Sequence, residues 1–73
     1  MQKYLNFSGR SNVESFEIGE NFIVVKFYGT ARTYRYSYMS AGQINVENMK
    51  RLALAGRGLN SYINKHVRFE YER

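Results

Sequence analysis

The chain has 73 residues, and eleven Lys or Arg side chains against six Asp or Glu give it a formal net charge of +5 at pH 7. A chain of this length forms one domain and leaves no room for a separate catalytic lobe. With no cysteine and one histidine, a disulfide framework is excluded and a metal centre is not expected.

Three β-strands are predicted in the first half of the chain. Gly9, Gly19 and Gly29 recur every ten residues, which is the spacing typical of an antiparallel meander. The predicted strands run from about Asn12 to Ile18, from Phe22 to Tyr28 and from Arg32 to Tyr38.

The third predicted strand alternates tyrosines with polar residues. Tyr34, Tyr36 and Tyr38 fall on one face, and Thr33 and Arg35 fall on the other. If the tyrosine face is open, it offers a platform for stacking; if a helix covers it, the rings belong to the core and only their hydroxyls reach solvent. We favour burial, because an amphipathic helix needs an apolar sheet face of this kind.

After Met39 the period changes from two to about 3.6, which predicts one longer and one short helix. In the longer helix Asn45 is the predicted N-cap, and Gly56 is the predicted stop. The short helix begins at Gly58 and places Leu59 and Ile63 on one face. The apolar stripe of the longer helix contains Val46, Met49 and Ala53.

The last segment, Val67 to Arg73, alternates apolar and charged residues, so it is a candidate fourth strand at the sheet edge or between subunits. The sequence therefore predicts a single α+β domain over residues 1–73. Its fold would be a small three- to four-stranded antiparallel meander with one longer and one short helix packed on one face.

Positive charge is concentrated in the middle of the chain. Residues 21–68 contain eight Lys or Arg side chains and only one carboxylate, Glu47, for a net charge of +7. Most of the cations are arginine, whose planar guanidinium suits phosphate and also stacks on bases. Two interpretations follow, a solubilising surface with incidental bias or a surface for an anionic partner.

Binding to RNA needs cations for phosphates and flat groups on which bases can stack. Arg35 is the preferred candidate because it is usable whichever sheet face is covered, and Arg32 and Lys26 follow it. Tyr34 and Tyr36 are the candidate stacking rings. We name these five side chains as a predicted nucleic-acid or anion site.

Three further candidate contacts lie in the helical half. Arg57 stands between Gly56 and Gly58, where backbone N–H groups are able to receive a phosphate and the guanidinium is able to close over it. A plain helix break is the alternative for this triplet. Lys50 and Arg51 project from the side of the longer helix opposite its apolar stripe.

Catalytic chemistry is not indicated. General acid–base catalysis needs titratable groups held together, and the single histidine, His66, has only the dispersed Glu47, Glu70 and Glu72 as partners. The carboxylates are not clustered as a metal-dependent nuclease would require. We therefore expect neither enzymatic activity nor a bound metal or cofactor.

Several short motifs in a fixed order carry a resemblance to a known family. They are Ser11-Asn12-Val13, Ile18-Gly19, Phe22 to Phe27, Tyr34-Arg35-Tyr36 and Gly58 to Asn64. The stretch from about Ser11 to Arg68 resembles the KTSC domain, a module at the carboxyl end of some lysyl-tRNA synthetases and in free-standing small proteins of bacteria and phages. The resemblance implies a binding module, with RNA binding suggested for the family.

We therefore predict a noncatalytic, cytoplasmic nucleic-acid-binding module that prefers RNA or another phosphate-bearing ligand and does not bind membranes. The alternative is a homodimer or larger homo-oligomer that holds a partner protein or an anionic nucleotide between subunits. It is suggested by the thin core of so short a chain and by spare apolar residues near both termini. Those residues are Tyr4, Leu5, Phe7, Phe69 and Tyr71.

Overall fold

The computed structural model describes residues 1–73 and shows a four-stranded sheet followed by helices. The elements are β1 (Gln2–Lys3), β2 (Val13–Ile18), β3 (Phe22–Phe27), β4 (Thr33–Ser37), α1 (Tyr38–Ala41), α2 (Gln43–Ala55), α3 (Leu59–Tyr62) and a π-helical segment (Ile63–Val67). The strands pair antiparallel in the order β1-β2-β3-β4. The predicted α+β meander is confirmed.

One face of the sheet forms the core. Tyr36 lies opposite Ile23 and Tyr34 lies opposite Val25 in the pairing of β4 with β3. Ile23, Val25 and Tyr36 are buried, and Tyr34 is partly buried against them. Burial, followed by the charges of the neighbouring tyrosines, raises the pKa of Tyr36 to about 12. The favoured prediction of a covered tyrosine face is therefore confirmed for the two tyrosines that lie in β4.

The register of β2 against β3 shifts by one residue. This shift turns two residues that are three apart in the sequence toward the core. Val13 pairs with Phe27, but Ser15 pairs with Lys26, so one extra residue is accommodated in β2. Val13 and Phe16 are both buried as a result. The same irregularity leaves Glu14 on the outer side, beside Lys26.

The helices cover the core face as the apolar periodicity predicted. Val46, Met49 and Ala53 are the buried residues of α2, and Leu59 is buried at the start of α3. α2 ends at Gly56, which adopts a left-handed conformation with φ 76° and donates its N–H to carbonyls of the last turn. No helix in the structure combines the length and the apolarity needed to cross a bilayer.

The connection from the sheet to α2 differs from the prediction. Ser37 caps α1 by accepting a hydrogen bond from the Ser40 N–H, so β4 ends before Tyr38, and this third tyrosine begins α1 although it still packs against the core. α2 then begins at Gln43. The predicted N-cap, Asn45, is wrong, because this residue already lies in the first turn and its Nδ2 donates to the Ala41 carbonyl at 2.9 Å.

The predicted strand over residues 67–73 is also wrong. Val67 ends the π-helical segment with its side chain buried, and the Glu70 N–H donates to its carbonyl in a turn. The fourth strand comes instead from the amino-terminal Gln2–Lys3, which pairs with Phe16 and Ser15. The alternation of Val67, Phe69 and Tyr71 reflects three different environments rather than one sheet face.

Candidate nucleic-acid interface

Three of the predicted phosphate contacts lie against carboxylates. The shortest nitrogen–oxygen distances are 2.9 Å for Lys26–Glu14, 3.0 Å for Arg35–Glu72 and 2.8 Å for Lys50–Glu47. A carboxylate at this distance offsets the charge of its partner and repels an approaching phosphate. The outer sheet face, which carries two of these pairs, is therefore less positive than the linear sequence indicated.

Arg35, the preferred candidate from the sequence, has a second partner. Its guanidinium carbon lies 3.7 Å from the centroid of the Phe22 ring, so the group is stacked as well as ion-paired. Arg32 makes no ion pair, and its guanidinium carbon lies 5.3 Å from the Tyr34 centroid. Of these two residues, only Arg32 has no carboxylate within ion-pair distance.

The prediction that Lys50 projects away from the apolar stripe is wrong, because its side chain is only 13% exposed and joins α2 to the turn between β2 and β3. Its Nζ donates to the Glu20 carbonyl at 2.9 Å as well as pairing with Glu47. The hydrogen bonds from Lys50 and from the Tyr38 hydroxyl lower the pKa of Glu47. The hydrogen bond that the Tyr38 hydroxyl donates to Glu47 in turn raises the pKa of Tyr38. Lys50 therefore fixes local structure and offers little free charge.

The other basic side chains make no ion pair. They are Lys3, Arg10, Arg32, Arg51, Arg57, Lys65, Arg68 and Arg73. Arg51 is exposed on α2 and Arg57 is exposed in the turn after it, so these two predicted contacts retain their full charge. These unpaired side chains are therefore the candidates for contact with phosphates.

Arg57 lies where two loops meet. The Phe7 N–H donates to the Gly56 carbonyl at 2.8 Å, and the Leu59 N–H donates to the Tyr4 hydroxyl at 3.3 Å. These bonds fix the loop of residues 5–11 against the turn of residues 56–58. Residues from opposite ends of the chain thereby share one surface.

The amino-terminal loop is ordered by Asn6, which has a positive φ of 55°. Its side-chain oxygen accepts the Ser11 N–H at 3.1 Å, and its side-chain nitrogen donates to the Ser11 carbonyl at 3.3 Å. The Gly9 N–H closes the turn on the Asn6 carbonyl. This network holds Arg10 in a defined turn, since the Arg10 N–H also donates to the Ser8 hydroxyl.

A small cleft of about 70 Å³ opens between the loop and the turn. Only polar residues and glycine line it: Ser8, Arg10, Ser11, Gly58, Asn60 and Ser61. A cavity holds a water once it reaches about 10–15 Å³, so this cleft has room for a small polar group of several atoms. The hydroxyl oxygens of Ser8 and Ser11 each accept a backbone N–H, which leaves both hydroxyl protons free to donate to an anion.

An exposed aromatic ring lies beside this cleft. The guanidinium carbon of Arg57 is 5.5 Å from the centroid of the Phe7 ring, and 61% of Phe7 is exposed. A ring and a guanidinium in this arrangement present flat surfaces on which a base is able to stack. We call the surface of Phe7, Arg57 and the cleft the loop surface.

The structure thus brings only one predicted contact, Arg57, to the loop surface. Tyr36 has no exposed ring face on which a base could stack, and Tyr34 packs edge-on against Phe27 and Tyr71. Arg10 was missed because the first twenty residues are net acidic. The Ser8-Gly9-Arg10-Ser11 run, a turn composition with one cation, is the sequence signal that indicated it.

His66, the single histidine of the chain, lies against an aromatic ring. The His66 ring stacks on Tyr62 with 4.4 Å between centroids, while the Tyr62 hydroxyl donates to Asn45 at 2.7 Å. No group of three or more His, Cys, Asp or Glu residues is placed to hold a metal ion.

No protein-family model, curated protein or solved structure matches this chain. The resemblance to the KTSC domain therefore stays a prediction that rests on the motifs quoted from the sequence.

Proposed function

We propose that the protein is a noncatalytic nucleic-acid-binding module, with RNA as the preferred ligand, and that it binds through the loop surface. One observation carries this proposal. The exposed Arg57–Phe7 pair lies beside a small polar cleft that Arg10 lines, and neither arginine has a carboxylate partner.

Single-stranded nucleic acids are held by cations that contact phosphates and by rings that stack on bases. The loop surface supplies both kinds of group within a few residues. A phosphate in the cleft would meet Arg10 and two hydroxyl donors, while the neighbouring base lies on Phe7. On the outer sheet face, by contrast, a phosphate would have to approach the carboxylates of Glu14 and Glu72.

The preference for RNA rests on the KTSC resemblance. A direct test is titration of labelled single-stranded RNA and DNA of equal length at two salt concentrations. We expect RNA to bind more tightly, with log K falling against log salt by about 0.7 for each phosphate contacted. Absent or salt-insensitive binding contradicts the proposal.

The second candidate is a small homo-oligomer that holds a partner protein or an anionic nucleotide between subunits. It is favoured by three of the apolar side chains near the termini, Leu5, Phe7 and Phe69, which remain exposed, although Tyr4 of the same predicted set is buried. A subunit interface would bury them. A stable dimer in sedimentation, stabilised against heat by mononucleotides but not by RNA, would favour this function over the first.

A further inference from the structure

β4 is the last strand of the sheet and leaves one edge open. The Arg35 carbonyl points away from β3 and accepts the Glu72 N–H at 2.7 Å. In an antiparallel pair the N–H and C=O of a residue face the same side, so the Arg35 N–H also faces this edge. β4 therefore presents backbone groups with which a further extended segment is able to pair.

The last residues of the sequence already occupy part of this edge. The ring of Tyr71 packs edge-on against Tyr34 at 4.8 Å and against Tyr36 at 6.2 Å. The next residue, Glu72, places its carboxylate 3.0 Å from Arg35 Nε. An aromatic ring followed directly by a carboxylate thus matches the chemistry of the edge.

The polar contacts of this attachment are weak. A single backbone hydrogen bond joins the tail to β4, and the ion pair is exposed enough to contribute at most about 1 kcal/mol. Phe69 is 63% exposed although it borders the same groove. The groove retains about 190 Å³ of open space between Tyr34, Ile63 and Arg68.

We infer that the β4 edge and this groove form a docking site for an extended peptide of a partner protein that carries an aromatic residue followed by an acidic one. Tyr71 and Glu72 occupy the site in cis and display the chemistry it accepts. Arg35 and Arg68 at its rim favour an acidic peptide. A partner segment that pairs with more of β4 gains backbone hydrogen bonds which the tail does not make, and so displaces it.

The test uses the full chain and a labelled synthetic peptide with the sequence of residues 68–73. In the Tyr71→Ala/Glu72→Ala protein the cis ligand is removed, so the peptide should bind at least about tenfold more tightly than it binds the unaltered protein. The milder Glu72→Gln protein, which keeps the Tyr71 ring in place, should show a smaller gain in the same direction.

Two controls define specificity. The same peptide carrying Tyr71→Ala should lose binding, and Arg35→Ala added to the double variant should weaken it. RNA affinity should be the same in a Tyr71→Ala protein, which keeps the net charge, and in the unaltered protein, because the loop surface is not involved, so this inference fails or holds independently of the proposed function.

Equal peptide affinity for the unaltered and double-variant proteins would overturn the inference. So would binding that survives loss of the peptide tyrosine, or competition of single-stranded RNA for the peptide site. A dimer that forms in the unaltered protein by exchange of residues 69–73, detected by sedimentation, would assign the edge to a second copy of the chain instead.

Discussion

The Tyr4 hydroxyl accepts a hydrogen bond from the backbone N–H of Leu59, 55 residues further along the chain. Both residues are buried, and the Tyr4 ring also packs edge-on against Phe16. This bond ties the segment after β1 to the first residue of α3. It therefore fixes the two sides of the cleft relative to each other.

Tyr4→Phe should destabilise the protein. The substitution keeps the ring but leaves the buried Leu59 N–H without its acceptor, which costs about 1–3 kcal/mol. Urea unfolding gives the change in the free energy of unfolding. Tyr28→Phe, which removes a hydroxyl from a more exposed tyrosine, is the control and should have little effect. Equal unfolding midpoints for the two variants would show that the Tyr4 bond contributes nothing.

Gly56→Ala should cost more stability than Gly29→Ala. Both glycines have positive φ, so both substitutions carry a backbone cost of about 1–2 kcal/mol. A Cβ at Gly56 would also lie 2.9 Å from Leu5 Cβ and 3.0 Å from the Phe7 ring, whereas Gly29 faces open space. Overpacking adds about 1–3 kcal/mol. If the two variants lost the same free energy of unfolding in urea, the loop of residues 5–11 would be free to move away from the turn of residues 56–58.

Stability should fall at high pH because of Tyr36. Its pKa is raised by burial to about 12 from the ordinary 10.0, so the folded protein holds this proton more tightly than the unfolded chain. The stabilisation that follows from this pKa difference is complete below pH 10 and is lost as the pH rises toward 12. Urea midpoints should therefore decline over this range, and Tyr36→Phe should flatten the decline. Tyr28→Phe should follow the unaltered protein; a Tyr36→Phe profile as steep as that of the unaltered protein contradicts the prediction.

Phe7→Ala should weaken RNA binding without changing its salt dependence. Loss of a stacked base costs about 1–3 kcal/mol, while the phosphate contacts remain. Phe69→Ala is a matched control, since Phe69 is similarly exposed and also lies beside an arginine, Arg68. A larger loss of affinity for Phe69→Ala would place the interface elsewhere.

The strands and helices that bury a periodic set of side chains could be predicted from the sequence. Glycine spacing and the change of period after Met39 placed β2, β3 and β4 within one residue of their observed starts and α2 within three. β1 could not be predicted, because its two exposed residues show no alternation and pair only where β2 offers an edge. The strand predicted for residues 67–73 was wrong because alternation alone does not distinguish a strand from a helix end followed by a turn.

The candidate site was less predictable. Charge counting along the chain cannot detect that Glu14 reaches Lys26 across a strand pair or that Glu72 returns to Arg35. These contacts depend on register and on the path of the tail. For the same reason the meeting of Arg10 with the turn after Arg57 is a tertiary property, although the turn chemistry of each segment is local.

The central claim is that unpaired arginines at the loop surface, rather than ion-paired cations on the sheet, bind the phosphates. The most direct measurement compares single-stranded RNA affinity and its salt slope for Arg10→Ala, which alters the cleft, and Lys26→Ala, which alters the sheet; both change the net charge equally. We predict that Arg10→Ala weakens binding and reduces the slope by about 0.7, while Lys26→Ala leaves both unchanged. Equal losses in the two variants, or a larger loss for Lys26→Ala, would contradict the account.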